Sequence, residues 1–306
     1  MSVPAAFVGV ILIWSTTPLA IKWSSEGIGF LFAISARMLI GVLLCYAVLR
    51  LLRGRLPWHR KAVQTYLASG VAIYGAMTSV YWGAQFIPSG LVSVIFGMTP
   101  IFTGVMAALW LGERIGTLPR LLGVALGIAG LVVVFGHDLF ATHLEPQALW
   151  GMAAVLLATF LHSMSMVLVK GIGAGLPAVT GTTGGLLVST PALLLTWWLA
   201  GGVLPEAPPP RAIGAIVYLG VFGSALGFVL FFYALRHLEA GRMALIPLIT
   251  PVLALLLGYL LADEVIPGER LAGAALILFG LLVFEWELLA RSWRRRSETV
   301  TESAEP

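Results

Sequence analysis

Few side chains in this chain could do chemistry, and the apolar sequence around them makes each conspicuous. Arg37 is a full charge inside a run, Gly27 to Leu49, that otherwise carries none. If it faces an internal cavity it would favour a carboxylate or other anion. If not, it serves structure, by snorkelling to the lipid headgroups or by holding the carbonyls of a broken helix end. His162, beside Ser163 and near Ser165, titrates near neutral pH and could carry a proton through a cycle; the other reading is a neutral hydrogen bond between helices. Glu113 and Glu264 mark helix ends and are read as boundary and gate anchors. Glu285 and Glu287 are expected to be exposed at the end of the last helix. No Asp or Glu is expected at mid-bilayer, so a carboxylate proton relay or a sodium cage is poorly supported. That leaves facilitated diffusion, exchange or coupling through His162.

A larger set could line a solute path: Trp14, Ser15, Thr17, Tyr74, Thr78, Tyr81, Trp82, Ser93, Thr99, Ser224 and Thr250 fall within apolar runs, not at their ends. Ligand cavities are mostly apolar and aromatic with a few placed polar groups, which suits a small amphipathic solute. Each residue also has a plain alternative, since Trp and Tyr gather at membrane interfaces and Ser and Thr bond their own i−4 carbonyl. Pro18, Pro100, Pro247 and Pro251 are expected within helices, where each removes a backbone hydrogen bond and permits a hinge. Gly123-x-x-x-Gly127 and Gly223-x-x-x-Gly227 allow close helix contact. Lys22, Lys61 and Lys170 are followed by Trp23, Ala62 and Gly171, so there is no Gly-Lys-Ser/Thr phosphate loop. No His precedes Glu, and Cys45 is alone, which argues against zincin, zinc and iron–sulfur chemistry. No cofactor, no metal and no enzymatic activity are expected.

The elements that must position these residues follow from composition. Of 306 residues, 59% are hydrophobic and 10% charged, against roughly 45–50% and about 25% in soluble domains. The mean hydropathy is +0.98. Such a chain is built for lipid; a soluble enzyme, a disulfide-stapled secreted domain and a disordered chain are excluded. Charges are costly inside a spanning helix of about 20 residues, so charge-free runs locate spans. The spans are Ser2–Ile21, Gly27–Leu49, two within Ala62–Gly112 divided at Ile87-Pro88-Ser89-Gly90, and Leu121–His137. In the second half they are Pro146–Val169, Ala178–Leu199, Ala212–Leu235, Met243–Ala262 and a last one from Arg270 to about Glu285. Met1-Ser2-Val3-Pro4 lacks a basic leader, so the first span reads as retained.

Basic residues give the orientation. With the N-terminus inside, the inner segments carry Arg50, Arg53, Arg55, Arg60, Lys61, Arg114, Arg120, Lys170, Arg236, Arg242, Arg291, Arg294, Arg295 and Arg296. The outer loops carry only Lys22, Arg211 and Arg270. The net charge of +4 is therefore an orientation signal with anionic lipid as its contact, and no nucleic-acid partner is expected. Both termini are expected on the cytoplasmic side of an inner membrane.

The halves repeat. Tyr81 through Gly90 lies against Phe232 through Gly241 at a shift of 151, which also superposes Thr99-Pro100 on Thr250-Pro251 and Glu113 on Glu264. After a one-residue slip Arg120-Leu121-Leu122-Gly123 meets Arg270-Leu271-Ala272-Gly273, and Gly130 meets Gly280. An odd number of spans per copy forces the copies to enter the bilayer from opposite sides, as in many secondary transporters. The expected fold is an all-α integral membrane protein of ten transmembrane helices, two inverted five-helix repeats around a central cavity. Residues 1–138 would form the first repeat, 146–290 the second and 291–306 a polar cytoplasmic tail.

The ten spans, the Trp14-Ser15-Thr16-Thr17-Pro18 start, the helix from Phe32 to Arg37 and the twice-occurring block of Thr-Pro, Glu and Gly-rich helix resemble the EamA type of the drug/metabolite transporter superfamily. The resemblance covers nearly the whole chain except the tail. It implies a ten-helix inverted-repeat bundle with a cavity lined by helices 1, 3, 4, 6, 8 and 9, and a small-molecule solute exported without ATP, an amino acid or related metabolite. Family members move amino acids, cofactors, sugars and drugs. Ser15 stands where the family commonly has Gly, and the family's frequent Pro early in helix 2 is missing. Two other classes compete: a polytopic enzyme acting on lipid would need clustered His, Asp or Glu at one face, and a scaffold subunit would have no polar cavity. The sequence leaves the oligomeric state open.

Overall fold

A backbone in lipid must satisfy its own N–H and C=O groups, and every regular element among the described residues is helical. The computed structural model describes residues 2–113, 117–140, 146–238, 243, 245–287 and 289–290. The Glu239-Ala240-Gly241 end of the repeated block, Arg114, Arg242 and the 291–306 tail lie outside the described residues. The helices are α1 (Val3–Ser25), α2 (Phe30–Leu51), α3 (Arg60–Gly83), α4 (Ser89–Phe96), α5 (Thr99–Leu111) and α6 (Leu118–Phe140). They continue as α7 (Pro146–Ile172), α8 (Ala178–Leu199), α9 (Pro210–Tyr218), a π-helical segment (Leu219–Leu226), α10 (Gly227–His237), α11 (Ile246–Ala262) and α12 (Gly268–Phe284).

Five stretches are long and apolar enough to cross a membrane: α1, α2, the α4–α5 rod from Ser89 to Leu111, α7 and α8. Leu118–Val134, Pro210–Leu226 and Ile246–Ala262 are shorter apolar helices. The sequence reading also counts α3 and α12 as spans, and both miss that measure. In α3 the polar Gln64, Thr65, Ser69, Thr78 and Ser79 dilute the apolar run, and α12 has only 17 residues. Leu43, Val71, Leu109, Leu195, Leu256 and Phe279 are all exposed. A soluble monomer does not present large apolar residues on so many helices; acyl chains are the solvent that fits them.

Two expectations about proline need correction. Pro18 and Pro251 do lie inside α1 and α11, but Pro100 and Pro247 occupy the first turns of α5 and α11. There the missing N–H has no helical partner to lose. The run before α5 is broken at Gly97 and Met98, so what reads as one span is two short helices. Pro191 is a further proline inside a helix, in α8. The eighth run is likewise interrupted, by the π segment.

Glycines set the closest contacts. On α6 and α12, a Cβ on Gly123 would lie 2.7 Å from the Gly280 carbonyl oxygen, and one on Gly130 would lie 2.8 Å from that of Gly273. The two helices therefore run antiparallel with backbones nearly touching. Helix α7 packs on α3 in the same way through Gly151 and Gly83.

The ends of α5 and α11 are built alike. Gly112 and Asp263 both adopt left-handed backbone, at φ 68° and 50°. The N–H groups of Glu113 and Glu264 return to the Ala107 and Gly258 carbonyls. Gly and Asp tolerate that conformation and release the chain from the helix. One large buried cluster draws on α1 through α9, the π segment and α12, and a second joins α1 to α10 and α11.

Candidate functional site

Arg37 sits seven residues into α2, about 10 Å along it, where α2 lies against the π segment. The approach is close: a Cβ on Gly220 would meet Ile40 at 2.6 Å, and one on Gly41 would meet the Ser224 side chain at 3.0 Å. Leu219-Gly220-Val221-Phe222-Gly223-Ser224-Ala225-Leu226 holds two glycines, weak helix formers, where the turn widens. Arg37 is 5% exposed, and its guanidinium is held by two neutral hydroxyls. Nε donates to Ser224 Oγ at 3.4 Å and Nη1 to Tyr81 Oη at 3.3 Å. Both bonds are long for charged donors. Nη2 faces the bare backbone of Gly223, where a Cβ would lie 3.4 Å from it and 3.8 Å from Thr17 Oγ1. Arg37 Cζ also lies 5.8 Å from the Tyr81 ring centre. Among the described residues no carboxylate comes within ion-pair distance of it.

The structure thus brings Thr17, Arg37, Tyr81 and Ser224 together from α1, α2, α3 and the π segment. Trp14 adjoins them, its indole nitrogen 3.4 Å from the Cβ position of Gly227 and its ring stacked on Phe231 at 5.1 Å. Thr17 spends its proton on the Ile13 carbonyl at 2.7 Å, which leaves its oxygen as an acceptor. Thr16 and Tyr218, absent from the sequence candidates, share a hydroxyl–hydroxyl bond between α1 and α9.

Other candidates sit apart from this group. Ser15 bonds its own helix at Ile11. Tyr74 pairs with Thr196 of α8 at 2.9 Å, and Thr78 bonds the Tyr74 carbonyl. Trp82 is exposed and packs edge-on against Phe86. Ser93 is buried in α4 and Thr250 in α11. Thr99 bonds the Phe96 carbonyl, and Ser163 donates to the Thr99 carbonyl at 3.3 Å, so α7 supports the α4–α5 break. The His162 ring centre is 6.5 Å from that of Phe96 at the same break. Glu285, expected to be exposed, is buried, because α12 carries it against α6 where Arg120 lies near; Glu287 is half-buried.

Two ion pairs cap the α4–α5 rod, whose ends are ~33 Å apart at helical rise. At one end Lys22 Nζ donates to Glu264 Oε1 at 2.8 Å. There Glu264 Oε2 also accepts from the Ser89 backbone N–H and hydroxyl, both at 2.8 Å. The carboxylate thereby serves the open N-terminus of α4. Burial pushes the Glu264 carboxyl up, but the bonds from Lys22 and Ser89 outweigh it and hold it below its ordinary 4.5. Arg211 lies over the Trp23 ring at 4.0 Å, beside Lys22 in sequence. At the other end Lys170 meets Glu113 at 2.6 Å. The pairs differ in exposure, 33% and 6% for Lys22 and Glu264 against 62% and 44% for Lys170 and Glu113. Only the glutamates were legible in the sequence, through their equal place in the repeat; nothing local names the lysines as partners.

Comparison with known proteins bears on all of this at once. The family model described as the EamA-like transporter family matches residues 2–136 and again 149–286. The "Uncharacterized transporter YoaV" of Bacillus subtilis is 25% identical over 92% of this chain and 96% of its own. The "Probable terminal-alkyne amino-acid exporter" of Streptantibioticus cattleyicolor is 26% identical over 96% of each. The "Uncharacterized inner membrane transporter YedA" of Escherichia coli K12 is 26% identical over 91% of this chain and 87% of its own. A solved crystal structure at 23% identity covers 95% of the chain with a TM-score of 0.64, a likeness of fold.

Proposed function

The chain belongs to the EamA-like transporter family, and from that premise we propose that it is a secondary transporter exporting an amino acid or related amphipathic solute by alternating access. That it is a multi-pass membrane protein of transporter kind follows from the family and from its apolar helices. The finer reading has ten spans in two inverted repeats, 1–138 and 146–290, with the tail 291–306 and both termini on the cytoplasmic side of the inner membrane. Its support is the way contacts exchange between halves. Gly123 aligns with Gly273 and Gly130 with Gly280, while the contacts join Gly123 to Gly280 and Gly130 to Gly273. Exchanging the halves turns each contact into the other, as a two-fold axis demands. The antiparallel run of α6 and α12 supports an axis lying across them, in the membrane plane.

The observation that carries the transport reading is the pair of ion pairs. Glu264 latches the end of α1, and Glu113 latches the end of α7, at opposite ends of one rod and at matching places in the repeat. Buried on one side and exposed on the other, they are the outer and inner gates of a two-state cycle, with the outer one shut. Between them Trp14, Thr17, Arg37, Tyr81 and Ser224 form the solute contact, and the α4–α5 break supplies a hinge. The amino-acid class takes its support from the relative named as an amino-acid exporter. The test is efflux and exchange in proteoliposomes with a panel of amino acids and amphipathic drugs. Movement of at least one solute, with no ATP present, is expected; a well-folded protein that moves none overturns the reading.

A further inference from the structure

A charge almost wholly removed from water needs a counter-charge, and Arg37 has none within the described chain. Two neutral hydroxyls at 3.3 and 3.4 Å engage two of its five N–H donors. Desolvating an ion without a partner is expensive, and a merely structural arginine would be expected to bring a carboxylate with it. The corresponding crossing in the other half has no such group. In the α3–α8 crossing Val188 seats on Gly70 at 2.5–2.7 Å from its Cβ position, as Ile40 seats on Gly220 in the crossing of α2 with the π segment. Packing of this crossing therefore needs only an apolar side chain. The first half departs from it with a cation, and the facing helix departs with a π segment whose Gly223 presents bare backbone to Nη2.

We infer that Arg37 holds the carboxylate of the solute. The inference rests on the transporter reading and narrows its substrate to carboxylate-bearing molecules. A carboxylate placed at Nη2 takes a paired, in-plane bond from the guanidinium, the geometry to which arginine is suited and lysine is not. Ser224 Oγ and Tyr81 Oη keep the fork oriented from the sides already occupied. Thr17 Oγ1, its proton committed to Ile13, offers an acceptor next to the same spot, suited to the ammonium of an α-amino acid. Trp14 and Phe231 present an aromatic wall for an apolar side chain.

The test uses the full chain, purified in detergent and in vesicles of phosphatidylcholine alone, so that no anionic headgroup supplies the ligand chemistry. Thermal unfolding is followed with each proteinogenic L-amino acid and with its carboxamide, alongside exchange of the same solutes across the vesicles. The wild type is expected to be stabilised by at least one amino acid, with the carboxamide needing roughly ten- to a hundredfold more for the same shift. In Arg37→Gln that preference is expected to fall to within about twofold, and in Arg37→Lys to an intermediate value. Equal stabilisation by acid and amide in the wild type overturns the inference and leaves transport standing. So does exchange of solutes without a carboxyl when no amino acid binds. A wild type that exchanges nothing fails at the transporter reading, and this inference falls with it. Should Arg37→Gln not fold, the acid–amide comparison in wild type and Arg37→Lys decides alone.

Discussion

Tyr81 shows how narrowly the central charge is held. Its ring is wholly buried and its hydroxyl is one of two side-chain groups that receive the Arg37 donors. Removing that oxygen while keeping the ring strips a bond from a buried cation, a loss of ~1–3 kcal/mol. Tyr81→Phe is therefore expected to melt a few degrees below wild type, and Ser224→Ala to do likewise through Nε. Both should weaken solute binding less than Arg37→Gln does, because they orient the charge without supplying it. Melting curves with and without amino acid read both effects. Arg37 could be singled out from sequence because a lone charge in an apolar run is visible in one dimension. Its partners could not be ranked: Ser15, Thr78 and Ser224 look alike as letters, yet the first two bond their own helices and only Ser224 meets Arg37.

Among elements, the helices beneath the charge-free runs were legible to within a few residues, and Ala178–Leu199 falls where the composition puts it. Interruptions were not legible. The α4–α5 break is braced by Ser163 of α7, and the π segment lies under α2, so both depend on neighbours distant in sequence. The glycine seams make the sharpest prediction here. Gly130→Ala would press a methyl group to 2.8 Å from the Gly273 carbonyl, and Gly273→Ala would press one to 2.9 Å from that of Gly130. Backbone cannot swing aside as a side chain can, so each is expected to cost ~1–3 kcal/mol. The two costs should be similar, since both open the same seam. Gly181→Ala, in α8 with nothing within 4 Å of the new methyl, should cost nothing or gain up to about 1 kcal/mol from helix propensity. Unfolding in mixed micelles measures all three, and equal losses at Gly181 and Gly130 would show that the seam is looser than its distances imply.

For the whole molecule the decisive property is that its two ends are unlike in this structure. Where Glu264 is shut in with Lys22 and Ser89, the matching Glu113–Lys170 pair is open to solvent, and an exposed pair contributes little. Ser24, wholly buried two residues after Lys22, reports on the closed end. In a Cys45→Ala background, a cysteine placed by Ser24→Cys should react slowly with an impermeant maleimide, at a rate scaled to the unfolded protein at each pH. Glu264→Gln, which cannot pair with the ammonium, is expected to raise that rate about tenfold, against a change within twofold for Glu113→Gln. The pH course follows from the sign of the shift. A carboxyl held below its ordinary value stabilises the latched form above that value and releases it only as pH falls through the lowered one. Labelling should therefore stay flat from about pH 8 to pH 5 and climb only below 4.5, the ordinary value. A rise already between pH 7 and 6 would mean that a group other than Glu264 opens this end.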